Sequence, residues 1–164
     1  MSSALASLVA VVMLLPVALL SQAPVNLGGT WTMVPDRSDS PQQSPPVNAL
    51  TFIIEQTATE LNVQTTRDGL TSTRKYDIGA AANTSARTTT VDAGSARAYW
   101  DGPRLATEHA GTVQGQTVSI KQIFGLNGDG SEMTVETLVV VQHGYTLRGA
   151  KNYASKTDVF VKTP

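Results

Sequence analysis

His109 and His143 are the only imidazoles in the chain, and there is no cysteine. Metal chemistry therefore has little to draw on. Ordinary zinc sites gather several Cys and His side chains at close spacing, and neither H-x-H nor H-E-x-x-H occurs. The two histidines read as surface or turn residues. Glu108 adjoins His109, but neighbours along a strand point to opposite faces, so the two would not share a site. Asn127-Gly128-Asp129-Gly130-Ser131-Glu132 offers oxygen ligands of the kind calcium takes. It lacks the D-x-D-x-D-G spacing and the distal Glu of an EF-hand, and a glycine hairpin explains it better. Asp101 and Glu108 could be called a carboxylate pair, yet Asp101, in Asp101-Gly102-Pro103, is accounted for by its turn. No G-x-S-x-G elbow nominates a serine nucleophile, and no thiolate is available as one. The glycines are scattered through hairpins and form no phosphate loop ahead of a helix. Arg67, Arg74 and Lys75 flank one hairpin; they could meet an anion but read as a solvated face. These patterns predict a protein that is not an enzyme and carries no metal and no cofactor.

Charge narrows the partners further. The formal net charge is -1 and only 15% of residues are charged. No bulk field favours nucleic acid or an anionic membrane. With 41% hydrophobic residues, the polar surface must come largely from Thr, Ser, Asn, Gln and Gly. Threonine suits a pleated, half-buried surface better than a helix.

The elements that must position any site begin after an apolar leader. Leu5 to Leu20 is interrupted only by Ser7 and Pro16, and Ser21-Gln22-Ala23 ends it with small residues. That run is short for a membrane span, which needs roughly 20 residues, and matches a signal helix. No Lys or Arg precedes it, and Pro24 would follow the cut. An uncleaved anchor is the other reading, and would be the chain's one membrane contact. Residues 1–23 are thus expected to be a signal peptide, and residues 24–164 a single domain, secreted or periplasmic. With no disulfide available, that domain must rely on its core.

Gly29–Val34 reads as the first strand, with Trp31 and Met33 on one face and Thr30, Thr32 and Val34 on the other. The segment 35–48 follows, with four prolines that forbid a regular helix or central strand. It is expected to cross the surface or flap over one barrel end. Leu50, Phe52 and Ile54 then alternate with Thr51, Ile53 and Glu55. Glu60–Arg67 and Thr71–Ile78 flank the hairpin signal Asp68-Gly69. Gly79–Gly94 is poor in large side chains. Ser95–Trp100, Arg104–Val113, Gln116–Phe124, Glu132–Gln142, Tyr145–Gly149 and about Thr157–Lys162 complete the series. Short strands with sequential turns and no helical period predict an all-β antiparallel up-and-down meander of about 8–10 strands. Closing into a barrel would remove its exposed edges.

Gly29-Thr30-Trp31 on a first strand resembles the G-x-W signature of lipocalins and their calycin relatives. In that family the Trp crosses one barrel end and an Arg from a late strand lies over it. The resemblance implies that role for Arg148, in Tyr145-Thr146-Leu147-Arg148-Gly149. The chain also resembles small exported bacterial proteins of uncharacterised function. The likeness rests on Gly29–Ser40, on Leu50–Gln56 and on the Trp100-Asp101-Gly102 hairpin running to Leu105. It implies a β meander and no activity.

Two functions remain open on these residues. One is a lipocalin-like β-barrel holding a small apolar ligand, its cavity lined by Trp31, Phe52, Ile54, Leu61, Val118, Ile120 and Val139. The other is a structural or interaction module of the cell envelope with a filled core, and a monomer is expected in either case. A continuous apolar cavity would favour the first.

Overall fold

The computed structural model describes residues 25–79, 96–113, 115–142 and 153–164. Its nine strands are β1 (Gly29–Met33), β2 (Leu50–Gln56), β3 (Glu60–Arg67), β4 (Leu70–Gly79), β5 (Ala96–Asp101), β6 (Arg104–Val113), β7 (Gln116–Leu126), β8 (Glu132–Gln142) and β9 (Tyr153–Thr163). They are hydrogen-bonded in sequence order into one closed barrel. The all-β class, the strand number and the closure match the expectation. The leader, the segment 80–95 and Tyr145–Gly149, with Arg148 and His143, lie outside the described residues.

One feature departs from a purely antiparallel meander. β4 and β5 pair in parallel, Ile78 opposite Ala98 and Gly79 opposite Tyr99. Parity requires such a pair. In a nine-strand barrel with every sequential pair inverted, the first and last strands would run the same way. Here β1 and β9 close the barrel antiparallel, with Trp31 opposite Lys162 and Met33 opposite Phe160. One connection must therefore fail to reverse direction. Parallel neighbours need a connection of about a dozen residues or more, and residues 80–95 supply that length.

Alternation decides what is inside. On β2, Leu50, Phe52 and Ile54 are buried while Ile53 and Glu55 are exposed. On β3, Leu61 and Val63 are buried. The hairpin between β3 and β4 turns on Asp68 at φ 47° and Gly69 at φ 85°. Both are left-handed, as a type I′ turn demands, and Asp-Gly meets that demand cheaply.

Trp31 is fully buried in the hydrophobic core, with Leu27, Leu105, Phe124, Met133 and Phe160. Its indole Nε1 donates to the Leu27 carbonyl at 2.8 Å. Phe52 meets Phe160 at 4.8 Å between ring centroids and Phe124 edge-on at 6.1 Å. Side chains of this kind stabilise by about 1.5–3 kcal/mol each when fully buried. Among the described residues, Lys162 lies over Trp31, its Nζ 5.3 Å from the ring centroid. Gly29 makes room for it. Its φ is +136°, and a Cβ there would meet Lys162 Cε at 2.5 Å. The glycine of the G-x-W pattern thus has a local physical cause.

The proline-rich segment is fastened along β9. It forms two single 3-10 turns, Pro35–Arg37 and Ser40–Gln42. Asp39 N donates to the Thr157 carbonyl at 3.0 Å, and Thr157 N donates to Asp39 Oδ2 at 2.7 Å. Arg37 makes a bidentate pair with Glu132, at 2.6 and 2.8 Å. This gives Glu132 an ion-pair partner, and Asp129 turns inward on its own hairpin by accepting from Ser131 N and Oγ. Ser40 is buried and bonded to Asp158.

Candidate functional site

The inward side chains change character along the strands. On β8 they run Met133, Val135, Thr137, Val139; on β7 the matching positions are Phe124, Gln122 and Ile120. On β9 they run Phe160, Asp158, Lys156, opposite Met133, Val135 and Thr137. One end of the barrel is therefore a packed aromatic and aliphatic plug. The other is roomier and partly polar.

A cavity of about 330 Å³ occupies that second end. Leu50, Phe52, Val63, Ile120 and Val139 give it an apolar wall, and Val47 from the proline-rich segment adds to it. Arg67, Arg74 and Lys156 bring cations into the same space, with Tyr76 and His109 beside them. Among the described residues, no Asp or Glu lines it.

The cations arrive by ordinary alternation. Leu61, Val63, Thr65 and Arg67 share one face of β3, and register sets Leu61 against Tyr76 and Val63 against Arg74. All three cations of this hairpin are exposed, as the solvated-face reading has it. Lys75 faces outward and pairs with Glu60 at 2.6 Å, while Arg67 and Arg74 stand at the open side of the cavity. The signal was present in the period-two pattern, since both follow the parity of Leu61.

The three cations are differently engaged. Arg67 approaches Asp68 at 3.8 Å, with more than half its side chain exposed. Lys156 is held against Asp158 at 3.2 Å and donates to Ser40 Oγ. Arg74 forms no ion pair with a carboxylate among the described residues.

His109 is also placed differently from expectation. It is a half-buried cavity residue, its Nδ1 3.2 Å from the Tyr76 hydroxyl. Burial, and after it the Arg74 charge, push the imidazole down to about 4. It is neutral at neutral pH. Glu108 does point to the opposite face, as the alternation rule required. There it accepts from Arg97 and, at 2.6 Å, from the Tyr99 hydroxyl.

Of the sequence-nominated lining residues, Phe52, Ile120 and Val139 border the cavity. Trp31, Ile54 and Leu61 are in the packed core. Val118 is half-buried on β7, opposite Gly111 and Val141. Sequence reasoning missed Arg67, Arg74, Tyr76, His109 and Lys156 as a group. They come from β3, β4, β6 and β9, and only barrel closure brings them together. Among the described residues, no three His, Asp or Glu side chains gather in a way that could hold a metal ion.

No family model matches the sequence, and no curated protein does. Solved structures do resemble the fold. Human cRBP IV is similar over 85% of this chain and 100% of its own, at 14% identity and a TM-score of 0.51. A structure described as the REP1-NXSQ fatty acid transporter aligns over 84% of this chain and 96% of its own, at 9% identity and a TM-score of 0.42. Zebrafish ileal bile acid-binding protein complexed with cholic acid aligns over 83% and 98%, at 10% identity and a TM-score of 0.43. The fold is a closed, mostly antiparallel β-barrel similar to that of human cRBP IV.

Proposed function

We propose that this protein is an exported, non-enzymatic barrel that binds one small amphipathic molecule bearing an acidic group. The observation that carries the reading is the cavity of about 330 Å³, whose lining among the described residues has an apolar wall, the cations Arg67, Arg74 and Lys156, the last paired with Asp158, and no Asp or Glu. Its volume lies at the lower end of the range for small-molecule sites, roughly 300–1,000 Å³. An alkyl or ring portion would lie against Phe52, Ile120 and Val139. The acidic group would meet Arg74, whose planar guanidinium can take two oxygens at once. An anion there gains a charge-assisted contact and, among the described residues, displaces no carboxylate from Arg74.

Calorimetric titration with decanoate and with decanol tests this directly. Decanoate is expected to bind more tightly than decanol. Arg74→Gln should weaken decanoate by about tenfold or more, the size of a hydrogen bond to a charged group, and change decanol little. Equal binding of the two ligands would remove the acidic group from the proposal. Failure of both to bind would favour the envelope module with a filled core.

Export rests on the leader. The mature chain is expected to begin near residue 24, because the apolar run before it is short for a span and ends in small residues. N-terminal sequencing of protein recovered from its host checks this. An intact Met1 in the membrane fraction would show a retained anchor instead.

A further inference from the structure

Among the described residues, His109 is the imidazole that lines the cavity, and the charged side chains lining it alongside are cationic. From β3 the charged group facing the cavity is Arg67; from β4 it is Arg74, with the titratable Tyr76; from β9 it is Lys156, held at 3.2 Å by Asp158, which also points inward but is buried beneath it. β7 presents Ile120 and Gln122 and β8 presents Thr137 and Val139, all uncharged. Across the ladder from His109 lie Ala96 on β5 and Ile120 on β7. The nearest carboxylate in sequence, Glu108, is on the outer face with Arg97 and Tyr99.

We propose that the cavity takes up a proton with its anion, His109 being the group that accepts it, so that acidic ligands are held more tightly as pH falls. The inference rests on the amphipathic-anion reading above. Its physical basis is a change of sign in the field at the imidazole. In the empty barrel, burial and the Arg74 charge both oppose a second positive charge beside Tyr76. An anion seated on Arg74 cancels that repulsion and itself attracts a proton to the ring. The proton adds to a free imidazole nitrogen and no bond is broken. Linkage then requires that whatever binding adds to His109's proton affinity, protonation adds to the ligand's. The Tyr76 hydroxyl, 3.2 Å from Nδ1, can keep its contact by turning from donor to acceptor when the ring becomes charged on both nitrogens.

The probe is octane-1-sulfonate, which stays anionic where a carboxylate would itself protonate. Titration calorimetry in two buffers of different ionisation heat counts the protons taken up. The wild-type chain is expected to take up a fraction of a proton per ligand at about pH 5 and almost none at about pH 7.5, with binding about three- to tenfold tighter at the lower pH. His109→Gln is expected to bind the sulfonate with no proton uptake. Imidazole NMR supplies an independent reading on the unmodified protein, since sulfonate should move the low-pH titration of His109 upward. Binding without proton uptake, and with an unmoved His109 titration, overturns the inference and leaves the anion reading standing. Absence of sulfonate and decanoate binding at both pH values overturns the two together.

Discussion

Trp31→Ala is expected to lower the unfolding free energy by about 3–5 kcal/mol, the usual cost of truncating a buried aromatic. Three separate losses point to the upper part of that range. The ring is fully buried among Leu27, Leu105, Phe124, Met133 and Phe160, in the packed end of the barrel where no large movement can refill the space. The Leu27 carbonyl loses its 2.8 Å donor, and Leu27 is itself fully buried. Lys162 loses the ring face beneath its ammonium, worth about 0.5–1 kcal/mol at an exposed site. Urea denaturation followed by circular dichroism measures the effect. Trp31→Phe should recover part of the packing and none of the Nε1 hydrogen bond. An unchanged midpoint in Trp31→Ala would mean that the first strand does not anchor the core. The cavity lies toward the other end, so a variant that still folds should retain ligand binding.

Asp158→Ala is expected to cost a similar amount, about 3–5 kcal/mol, for a different reason. Asp158 is almost fully buried, and its two oxygens accept from Ser40 N, Ser40 Oγ and Lys156 Nζ. Removing it leaves a largely buried ammonium and two donors without their acceptor. It also removes the Ser40 fastening of the proline-rich segment, which carries Val47 of the cavity wall, while the Asp39 and Thr157 bonds remain. A double variant separates the causes. Lys156→Met with Asp158→Ala removes both charges, and replacing a buried pair by apolar groups is often close to neutral. The double variant should therefore be more stable than Asp158→Ala alone. If it is less stable by the sum of the single effects, the two side chains are not coupled, and the latch is carried by Ser40 alone.

Some of the site was legible before any coordinates. Phe52, Ile120 and Val139 were nominated from alternation, and alternation is a local property that a strand cannot evade. The opposite orientation of Glu108 and His109 followed from the same rule. What hid the rest was a conflict between two signals at one position. Arg67 and Arg74 follow the apolar parity of β3 and β4, while their charge argues for solvent. His109 had no apolar context strong enough to announce an interior place. A sequence pattern gives a side chain's face; it does not say whether the space beyond that face is filled.

By itself the sequence determined the all-β class, the strand positions within a few residues, the Asp68-Gly69 hairpin and the burial of Trp31, Leu50, Phe52 and Ile54. Each follows from period-two patterning, from β-branched content or from turn chemistry, all local to a few residues. Only the tertiary structure decided that β4 and β5 run parallel, that Lys162 lies over Trp31, and that Asp158 fastens the proline-rich segment. It also brought Arg67, Arg74, His109 and Lys156 around one space. These depend on strand parity and on closure between distant segments. Local propensity carries no information on either, because strand direction and barrel register are set by the sum of all the pairings at once.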